Sequence, residues 1–277
     1  MRQTGWKLAV LVLAGVVVIA STPRPGQASR QPGPPSGHPA GHPAKHPAAH
    51  PADHHWSYEG DEGPQKWGAI EPDYAACATG KHQSPIDIHD PQPADLPAIQ
   101  FDYRPSPLKM IDNGHTIQVN FAPGSRITVG QETYDLVQMH FHHPSENTID
   151  KRAFPMEAHL VHKDAQGHLA VVALMLQEGK ANTFLDTLWR NMPTAKGQEQ
   201  AAKGVSVDPT AFLPQDRGYD TFEGSLTTPP CSEGVTWYVL KTPVEVGQKQ
   251  VARFAQIYKL NARPVQLLND RVVQATR

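Results

Sequence analysis

The sequence predicts a mainly β fold with flanking helices (α+β), built as a single domain over residues 56–277 of the 277-residue chain. Apolar and polar residues alternate from residue 115 to residue 121, which is typical of a strand with one buried face. Residues 169–176 and 235–240 are near-continuous apolar runs, as expected for strands buried on both faces. Helical spacing is found in fewer segments, so strands dominate the prediction.

Local patterns place a turn and two helices among these strands. Residues 122–125 (Ala-Pro-Gly-Ser) predict a hairpin turn that leads into a strand at residues 126–129. Asn182 or Thr183 can cap a short helix. The apolar residues that would form its inner face are Phe184, Leu185, Leu188 and Trp189. A second helix is marked by Val251, Phe254, Ala255 and Tyr258.

The first 28 residues have the pattern of a secretory signal peptide. Arg2 and Lys7 precede an apolar run over residues 8–20, which is too short for a comfortable membrane span. Cleavage after Ala20 or after Ala28 fits the pattern, and an uncleaved N-terminal anchor is the alternative. We therefore expect a periplasmic or secreted protein, without a stable membrane span in the mature form.

Residues 29–55 form a segment rich in Pro, Ala, Gly and His that we interpret as a disordered linker. The histidines before proline recur at every fourth residue, and two more close the segment: His38, His42, His46, His50, His54 and His55. Proline at this spacing breaks a helix. A plain spacer, weak metal binding and a pool of titrating imidazoles all remain open as roles.

Charge and cysteine content limit the partners and the compartment. The formal charge of −2 and the lack of a basic patch give no reason to expect a nucleic-acid partner. Cys77 and Cys231 are the only cysteines. In an exported chain an even pair predicts a disulfide, with two buried thiols as the alternative.

Three histidines on two predicted strands are the main candidates for chemistry. Side chains alternate along a strand, so Gln138, His140 and His142 share one face and Phe141 points to the other. Glu157, His159 and Val161 share a face of the second strand, while Leu160 and His162 take the opposite one. If the two strands pair in antiparallel fashion, His159 can lie opposite the pair His140 and His142.

Three neutral imidazoles with an open fourth position are typical of a catalytic zinc site. The second nitrogen of such a histidine usually contacts a carboxylate or an amide oxygen, and Gln138 and Glu157 have the right chemistry and position. A His-x-His pair alone is weak evidence, so further motifs have to decide between a metal site and ordinary histidines.

Five further motifs occur in order around the histidines. They are Gln-Ser-Pro-Ile at 83–86, Asn-Gly-His at 113–115, Ser-Glu-Asn-Thr at 145–148, Gly-Ser-Leu-Thr-Thr-Pro-Pro at 224–230 and Asn-Ala-Arg-Pro at 261–264. Together they resemble the α-class carbonic anhydrases of exported bacterial type, from about Trp56 to the C-terminus. The resemblance implies a large, mostly antiparallel central sheet and a zinc enzyme that interconverts carbon dioxide and bicarbonate.

The resemblance also implies a role for individual residues. Zinc-bound hydroxide would attack carbon dioxide, with zinc held by His140, His142 and His159. Thr227 would accept a hydrogen bond from the hydroxide and donate to Glu146, and His115 would shuttle the released proton. The carbonyl of Asn261 would orient a zinc ligand, that of His142, and Tyr58 would join the hydrogen-bonded network of the cleft. The implied substrate pocket consists of Val161, Val171, Leu226, Thr228 and Trp237.

Some positions depart from these expectations. Strict alternation would place His115 on the core face, although it stands at the start of its strand. Met139 and His143 differ from the usual family residues, and alternation places both away from the zinc face. The alternative functions are a non-catalytic binding module and a periplasmic metal-capture protein. From the family resemblance we also expect a homodimer.

Overall fold

The computed structural model describes residues 55–277. The predicted signal peptide and all of the predicted linker except His55 lie outside the described residues, together with the histidines at positions 38, 42, 46, 50 and 54. Within residues 55–277, no helix is long and apolar enough to cross a membrane.

Strands make up most of the regular structure. They are β1 (Asp87–Ile88), β2 (Gln92–Ala94), β3 (Ile99–Asp102), β4 (Ser106–Asp112), β5 (Ile117–Asn120), β6 (Arg126–Val129), β7 (Glu132–His142), β8 (Thr148–Ile149), β9 (Met156–Lys163), β10 (Leu169–Glu178), β11 (Gln200–Val207), β12 (Tyr219–Ser225), β13 (Glu233–Val246) and β14 (Gln274–Thr276). The α-helices are α1 (Trp67–Ile70), α2 (Ala76–Thr79), α3 (Thr183–Arg190) and α4 (Gln248–Ala255). Short 3-10 helices span Gly60–Glu62, Pro72–Tyr74 and Pro209–Phe212.

Twelve strands form one central sheet, in the order β11-β4-β5-β7-β9-β10-β13-β12-β14-β2, with β3 attached through β6 to β7. Most neighbours are antiparallel, whereas β10 with β13 and β14 with β2 are parallel. Strands β1 and β8 form a separate two-stranded parallel sheet. The prediction of a mainly β fold around a large, mostly antiparallel sheet is confirmed.

The predicted hairpin between residues 115–121 and 126–129 is wrong. A turn does lie at residues 123–124, but β5 and β6 do not pair with each other. Instead β5 pairs with residues 138–140 of β7, and β6 pairs with residues 132–135 of the same strand. Strand β7 is long enough to pair with two short strands in succession. The turn therefore carries the chain from β5 to β6 along the same edge of β7.

A bulge in β7 sets the direction of its side chains. Leu136 is the register partner of His162, and the next paired residue, Gln138, faces Val161, so Val137 is the extra residue. Before the bulge, Tyr134 and Leu136 lie in the main apolar core. After it, the odd-numbered residues Met139 and Phe141 lie there instead. The bulge thus turns the even-numbered side chains, including both histidines, to the other face of the sheet.

The predicted buried strands and both predicted helices are confirmed. Residues 170–176 of β10 are buried, and so are Val235 and residues 237–240 of β13. Asn182 caps α3, because its side chain accepts hydrogen bonds from the amides of Phe184 and Leu185. Trp189 of α3 and Phe254 of α4 pack edge-on against Phe141. The helices therefore cover the face of β7 that is opposite its histidines.

We expect deletion of Val137 to damage the domain much more than Val137→Ala does. The deletion removes the bulge, so either Tyr134 and Leu136 or Met139 and Phe141 must leave the core. The free energy of unfolding should fall by about 3 kcal/mol or more in chemical denaturation. Val137→Ala is the control. The Val137 side chain is 43% exposed, so shortening it should lower the free energy of unfolding by less than about 0.5 kcal/mol. Equal stability of the two variants would contradict a bulge that sets the two faces.

Candidate active site

Three imidazoles converge where β7 pairs with β9. His140 is the register partner of His159 across the two strands, and His142 follows two residues later on the same face. The ring centroids are separated by 5.0 Å (His140 and His142), 5.2 Å (His140 and His159) and 4.5 Å (His142 and His159). One nitrogen from each ring lies within 4.8 Å of the others. The predicted antiparallel pairing has therefore brought the three side chains to one point.

The second nitrogen of each ring faces an oxygen atom. The contacts are His140 Nδ1 to Gln138 Oε1 at 2.8 Å, His142 Nδ1 to the Asn261 carbonyl at 2.7 Å, and His159 Nε2 to Glu157 Oε1 at 2.9 Å. The third contact is short, but it is not aligned as a hydrogen bond. These contacts fix the ring orientations, so Nε2 of His140, Nε2 of His142 and Nδ1 of His159 face the common centre.

The chemistry of this donor set fits a divalent metal ion. Burial is the largest cause that lowers the pKa of all three imidazoles, so they are neutral at neutral pH. Neutral imidazole is the form that binds zinc. Nε2 of His142 is also buried without a hydrogen-bond partner, which is costly unless another group satisfies it. A metal ion at the common centre would do so.

A buried carboxyl group adjoins the three rings. Glu146 is 1% exposed, and its Oε2 lies 3.4 Å from His142 Nε2 and 3.9 Å from His159 Nδ1. Burial raises the pKa of Glu146 well above its usual value, while the main-chain amide of Arg263 and the hydroxyl of Thr227 oppose this shift. The Arg263 amide donates to Glu146 Oε1 at 2.8 Å. Thr227 and Glu146, which the sequence predicts to act together, are therefore neighbours.

An apolar wall stands beside His159. Val171 of β10 is the register partner of both Val161 on β9 and Trp237 on β13, and Leu226 packs against the same cluster. The Trp237 ring lies edge-on to His159 at 4.9 Å between centroids. Four of the five predicted pocket residues thus form one surface. The fifth, Thr228, is half-buried in the loop after β12, and its carbonyl accepts a hydrogen bond from the Cys231 amide.

His115 lines a cavity of 340 Å³ and lies outside strand β5. The side chain of Asn113 accepts hydrogen bonds from the amides of His115 and Thr116 and so closes a turn there. Strand alternation does not apply within that turn, so His115 is half-buried and does not enter the core. Tyr58 lines this cavity and also a neighbouring one that reaches Glu146.

Two N-terminal rings stack on His115. The Trp56 ring lies 3.7 Å away at an interplanar angle of 10°, and the His55 ring lies 4.9 Å away at 28°. Burial, helped by the nearby charges of His55 and Lys196, lowers the pKa of His115 to about 4, although Asp112 opposes the shift. In this orientation His115 is neutral at neutral pH and accepts a proton poorly. The sequence did not point to either stacking partner.

The histidines beside this cluster point elsewhere, as strand alternation predicts. Nδ1 of His143 contacts the carbonyl of Lys259 at 2.9 Å. His162 is fully buried, and its Nε2 contacts the hydroxyl of Tyr103 at 2.8 Å. Met139 lies in the core beneath the opposite face of β7. None of these side chains reaches the common centre of the three imidazoles.

Comparisons with known proteins agree with this geometry. A family model described as eukaryotic-type carbonic anhydrase matches residues 62–277. The chain belongs to the α-carbonic anhydrase family. A carbonic anhydrase of Klebsiella pneumoniae is 47% identical over 223 residues, covering 79% of this chain and 90% of that protein. One of Nostoc sp. is 42% identical over 224 residues, covering 79% and 85%. The solved α-carbonic anhydrase of Thermovibrio ammonificans, in complex with sulfanilamide, matches with a TM-score of 0.77 at 42% identity, covering 79% of this chain and 98% of that one.

The disulfide of this carbonic anhydrase joins distant parts of the chain. Cys77 of α2 is bonded to Cys231 with an S–S distance of 2.05 Å, so the predicted pairing is present. Cys231 lies in the loop that carries Thr227, between β12 and β13. Trp67 lies in the same small buried cluster as the two cysteines. The bridge therefore ties the loop to the N-terminal helices.

Asn261 does more than the sequence predicted. Its carbonyl meets His142, as expected, but its buried side chain also binds three main-chain groups. Oδ1 accepts from the His143 amide at 2.7 Å, and Nδ2 donates to the carbonyls of Phe141 at 2.9 Å and His115 at 3.0 Å. The amide thus connects the end of the ligand strand to the turn of His115. No residue pattern could have shown this, because Asn261 lies in irregular chain.

We expect His55→Ala to raise the pKa of His115. The substitution removes a like charge and uncovers part of the ring, and both effects favour the protonated imidazole. NMR titration of the histidine ring signals, on protein with and without metal, should show an upward shift of at least about half a unit. His168→Ala is the control, because that exposed histidine pairs with Asp164 elsewhere. An unchanged or lower pKa in the His55 variant would contradict the electrostatic role of the stack.

Proposed function

We propose that this enzyme catalyses the reversible hydration of carbon dioxide to bicarbonate and a proton, with zinc held by His140, His142 and His159. The observation that carries the proposal is the convergence of three neutral imidazoles beside Glu146 and an apolar wall. A structural zinc site would close its coordination with four protein ligands, whereas three ligands leave a position for the reaction. Family membership supports the same substrate.

Zinc in such a site lowers the pKa of a water molecule that it binds to about 7, a value that is itself taken from carbonic anhydrase, and so supplies a nucleophile at neutral pH. The protein's part is to keep the imidazoles neutral and correctly turned. Burial keeps the rings neutral, and Gln138, Asn261 and Glu157 hold the ring orientations through their contacts with the second ring nitrogens.

The remaining residues bind and orient the reactants. Carbon dioxide is small and apolar, so it fits the wall of Val161, Val171, Leu226 and Trp237 beside His159. The Thr227 hydroxyl can accept one hydrogen bond and donate one. A bound divalent cation would favour the ionised form of Glu146 in spite of its burial. A Thr227 hydroxyl that donates to this carboxylate has lone pairs left to accept a hydrogen bond from the attacking oxygen. Thr227 would then fix the direction in which that oxygen faces carbon dioxide.

His115 is the proposed carrier of the released proton. A group that titrates near neutrality suits this task, and an unperturbed imidazole does so. Stacked on Trp56, however, the ring has a pKa of about 4, too low to accept a proton efficiently at neutral pH. We infer that the ring accepts the proton after it leaves the stack and regains contact with water. Return to the stack would favour release of the proton, because the stacked ring prefers its neutral form.

The disulfide also supports the proposal that this enzyme is exported. Disulfides persist in oxidising compartments, so the Cys77–Cys231 bond supports the proposal that residues 1–28 direct export to the periplasm or beyond. Sequencing the N-terminus of protein recovered from outside the cytoplasm would show whether cleavage follows Ala20, Ala28 or neither.

His159→Ala should abolish zinc binding and hydration together, because it removes a ligand from the centre of the set. Zinc content is measured by atomic absorption, and hydration by stopped flow with a pH indicator. His143→Ala is the matched control, since its ring faces the Lys259 carbonyl and should leave zinc content unchanged. If His143→Ala lost the metal while His159→Ala kept it, the proposed ligand set would be wrong.

Thr227→Ala should lower kcat/KM by about 10²-fold, the usual cost of losing one orienting group at a transition state. Zinc should remain, because Thr227 is not among the converging side chains. Thr221→Ala, on neighbouring β12, removes a half-buried threonine away from the site and should keep normal activity. Loss of zinc in the Thr227 variant would show that its role had been misjudged.

His115→Ala should slow hydration by about tenfold or more in dilute buffer, because proton transfer then lacks its side chain. Added imidazole should restore much of the rate by taking the proton directly. The same assay on His168→Ala, an exposed histidine outside the cavity, should show no loss. Equal rates for His115→Ala and unmodified protein in dilute buffer would exclude His115 as the carrier.

A further inference from the structure

The loop that carries Thr227 is held in an unfavourable backbone conformation. Residues 226–232, the Thr227 loop, join β12 to β13. Cys231 near its end has φ of 57°, a left-handed value that costs free energy for a residue with a side chain. Two internal hydrogen bonds help to hold the loop, from the Leu226 amide to the Ser232 carbonyl and from the Cys231 amide to the Thr228 carbonyl. The loop therefore needs external support to keep this shape.

A buried arginine provides a set of such supports. Arg263 is 2% exposed, and its guanidinium donates three hydrogen bonds. Nη1 donates to Gln83 Oε1 at 2.9 Å and to the Ser84 carbonyl at 2.8 Å, while Nη2 donates to the Cys77 carbonyl at 3.0 Å. The group also lies 5.7 Å from the centre of the Trp67 ring. A planar fork of donors suits this arrangement, and a lysine could not reproduce it.

Gln83 carries the support to the far end of the loop. Its Nε2 donates to the Cys231 carbonyl at 2.9 Å. The backbone carbonyls of both disulfide cysteines therefore accept from one connected pair of side chains, Cys77 from Arg263 and Cys231 from Gln83. We call this pair the Arg263–Gln83 clamp. It bridges the same two chain segments as the disulfide, but without a covalent bond.

The clamp also reaches the start of the loop. Ser84, whose carbonyl accepts from Arg263, exchanges two hydrogen bonds with Ser225, the last residue of β12. The Ser84 amide donates to Ser225 Oγ at 2.9 Å, and the Ser225 amide donates to Ser84 Oγ at 3.1 Å. Both ends of the Thr227 loop are thus fixed to elements that contact the guanidinium of Arg263.

The main chain of Arg263 holds the other partner of Thr227. Its amide donates to Glu146 Oε1 at 2.8 Å, in the carboxyl group that the Thr227 hydroxyl adjoins. One residue therefore fixes Glu146 through its backbone and the Thr227 loop through its side chain. A shift of the guanidinium would move the hydroxyl relative to the carboxyl group.

We propose that Arg263 is a positioning residue for the Thr227–Glu146 pair, and that the Arg263–Gln83 clamp keeps the Thr227 loop in place when the Cys77–Cys231 disulfide is absent. The clamp and the disulfide hold the same segments in parallel, so loss of one support loosens the loop and loss of both displaces it. This proposal rests on the role of Thr227 in the proposed function. It makes the hydration activity largely insensitive to loss of the disulfide.

A double-mutant cycle on the full chain tests the proposal. The proteins are the unmodified enzyme, Cys77→Ala/Cys231→Ala, Arg263→Gln and the triple variant. We expect Cys77→Ala/Cys231→Ala and Arg263→Gln each to lower kcat/KM per bound zinc by about threefold. The loss in the triple variant should be about tenfold larger than the product of these two losses. A triple variant that equals the product would overturn the proposal, because the two supports would then be independent. A large loss in Cys77→Ala/Cys231→Ala alone would also overturn it.

Hydrogen–deuterium exchange of the zinc-free proteins provides a measurement that does not depend on activity. The amides of residues 226–232 should exchange faster in Arg263→Gln and fastest in the triple variant, while β9 and β10 stay protected. If the triple variant does not fold, Arg263→Gln alone decides, and unchanged exchange in this loop would overturn the proposal. If the unmodified enzyme had no hydration activity, the proposed function would be wrong. The exchange data would still test the clamp in that case.

Arg271→Gln is the matched control. Arg271 is 8% exposed, donates to the carbonyls of Glu223, Leu267 and Leu268, and lies 5.9 Å from the Phe222 ring. It resembles Arg263 in burial and in number of hydrogen bonds, but it does not contact either cysteine. We expect a similar loss of thermal stability, with kcat/KM per zinc and exchange in the Thr227 loop unchanged. Equal effects of both arginine variants on the loop would reduce Arg263 to a general structural role and overturn the proposal.

Discussion

The antiparallel pairing of β7 with β9 places His140 opposite His159, and the site depends on this register. A slip of one residue would turn every side chain of one strand to the other face. The core resists such a slip, because Phe141 and Leu160 are fully buried on the opposite side. The bulge at Val137 completes the constraint, since it lets β7 supply core residues along its whole length and histidines only near its end. Packing energy in the core thus fixes the geometry of the polar face.

The face of the sheet that carries the three histidines buries several polar side chains, and this burial costs free energy unless their polar atoms gain partners. Glu146, Glu157, His142 and His159 are each no more than 1% exposed, and several of their polar atoms lack hydrogen-bond partners. Unpaired buried polar atoms cost free energy, so binding a divalent metal at this point would recover stability as well as create the reactive centre. Low pKa values of the imidazoles reduce the competition between protons and metal. The burial that keeps the imidazoles neutral therefore also suits them to bind a divalent metal ion.

Sequence reasoning succeeded where a strict periodicity acts over a short range. The window from Gln138 to His142 begins just after the bulge, so simple alternation assigned the faces of His140, Phe141 and His142 correctly. It failed for the turn at residues 122–125, because turn chemistry does not specify which strand pairs with which. Strict alternation alone would have placed His115 in the core, but the turn made by Asn113 interrupts it, as the position of His115 at the start of the strand allowed.

Residues in irregular chain were the least predictable. Asn261 and Arg263 lie after α4, in a stretch without repeating pattern, yet their side chains contact segments more than one hundred positions away. Their contacts depend on the path of the finished chain, which no local rule encodes. The motif Asn-Ala-Arg-Pro marked the region through the family resemblance, but it did not reveal the amide of Asn261 or the guanidinium of Arg263 as connecting groups. The stacking of His55 and Trp56 on His115 likewise depends on the path of the folded chain, so no local pattern predicted it.

X-ray absorption spectroscopy of the enzyme loaded with one equivalent of zinc tests the central claim most directly. The account predicts four light ligands at about 2.0 Å, with multiple scattering that fits three imidazoles and one oxygen atom. Four or more imidazoles around the ion would contradict the account, because zinc would then be bound by His143 or by the histidine-rich N-terminal segment, and the register of β7 and β9 would not define the metal site.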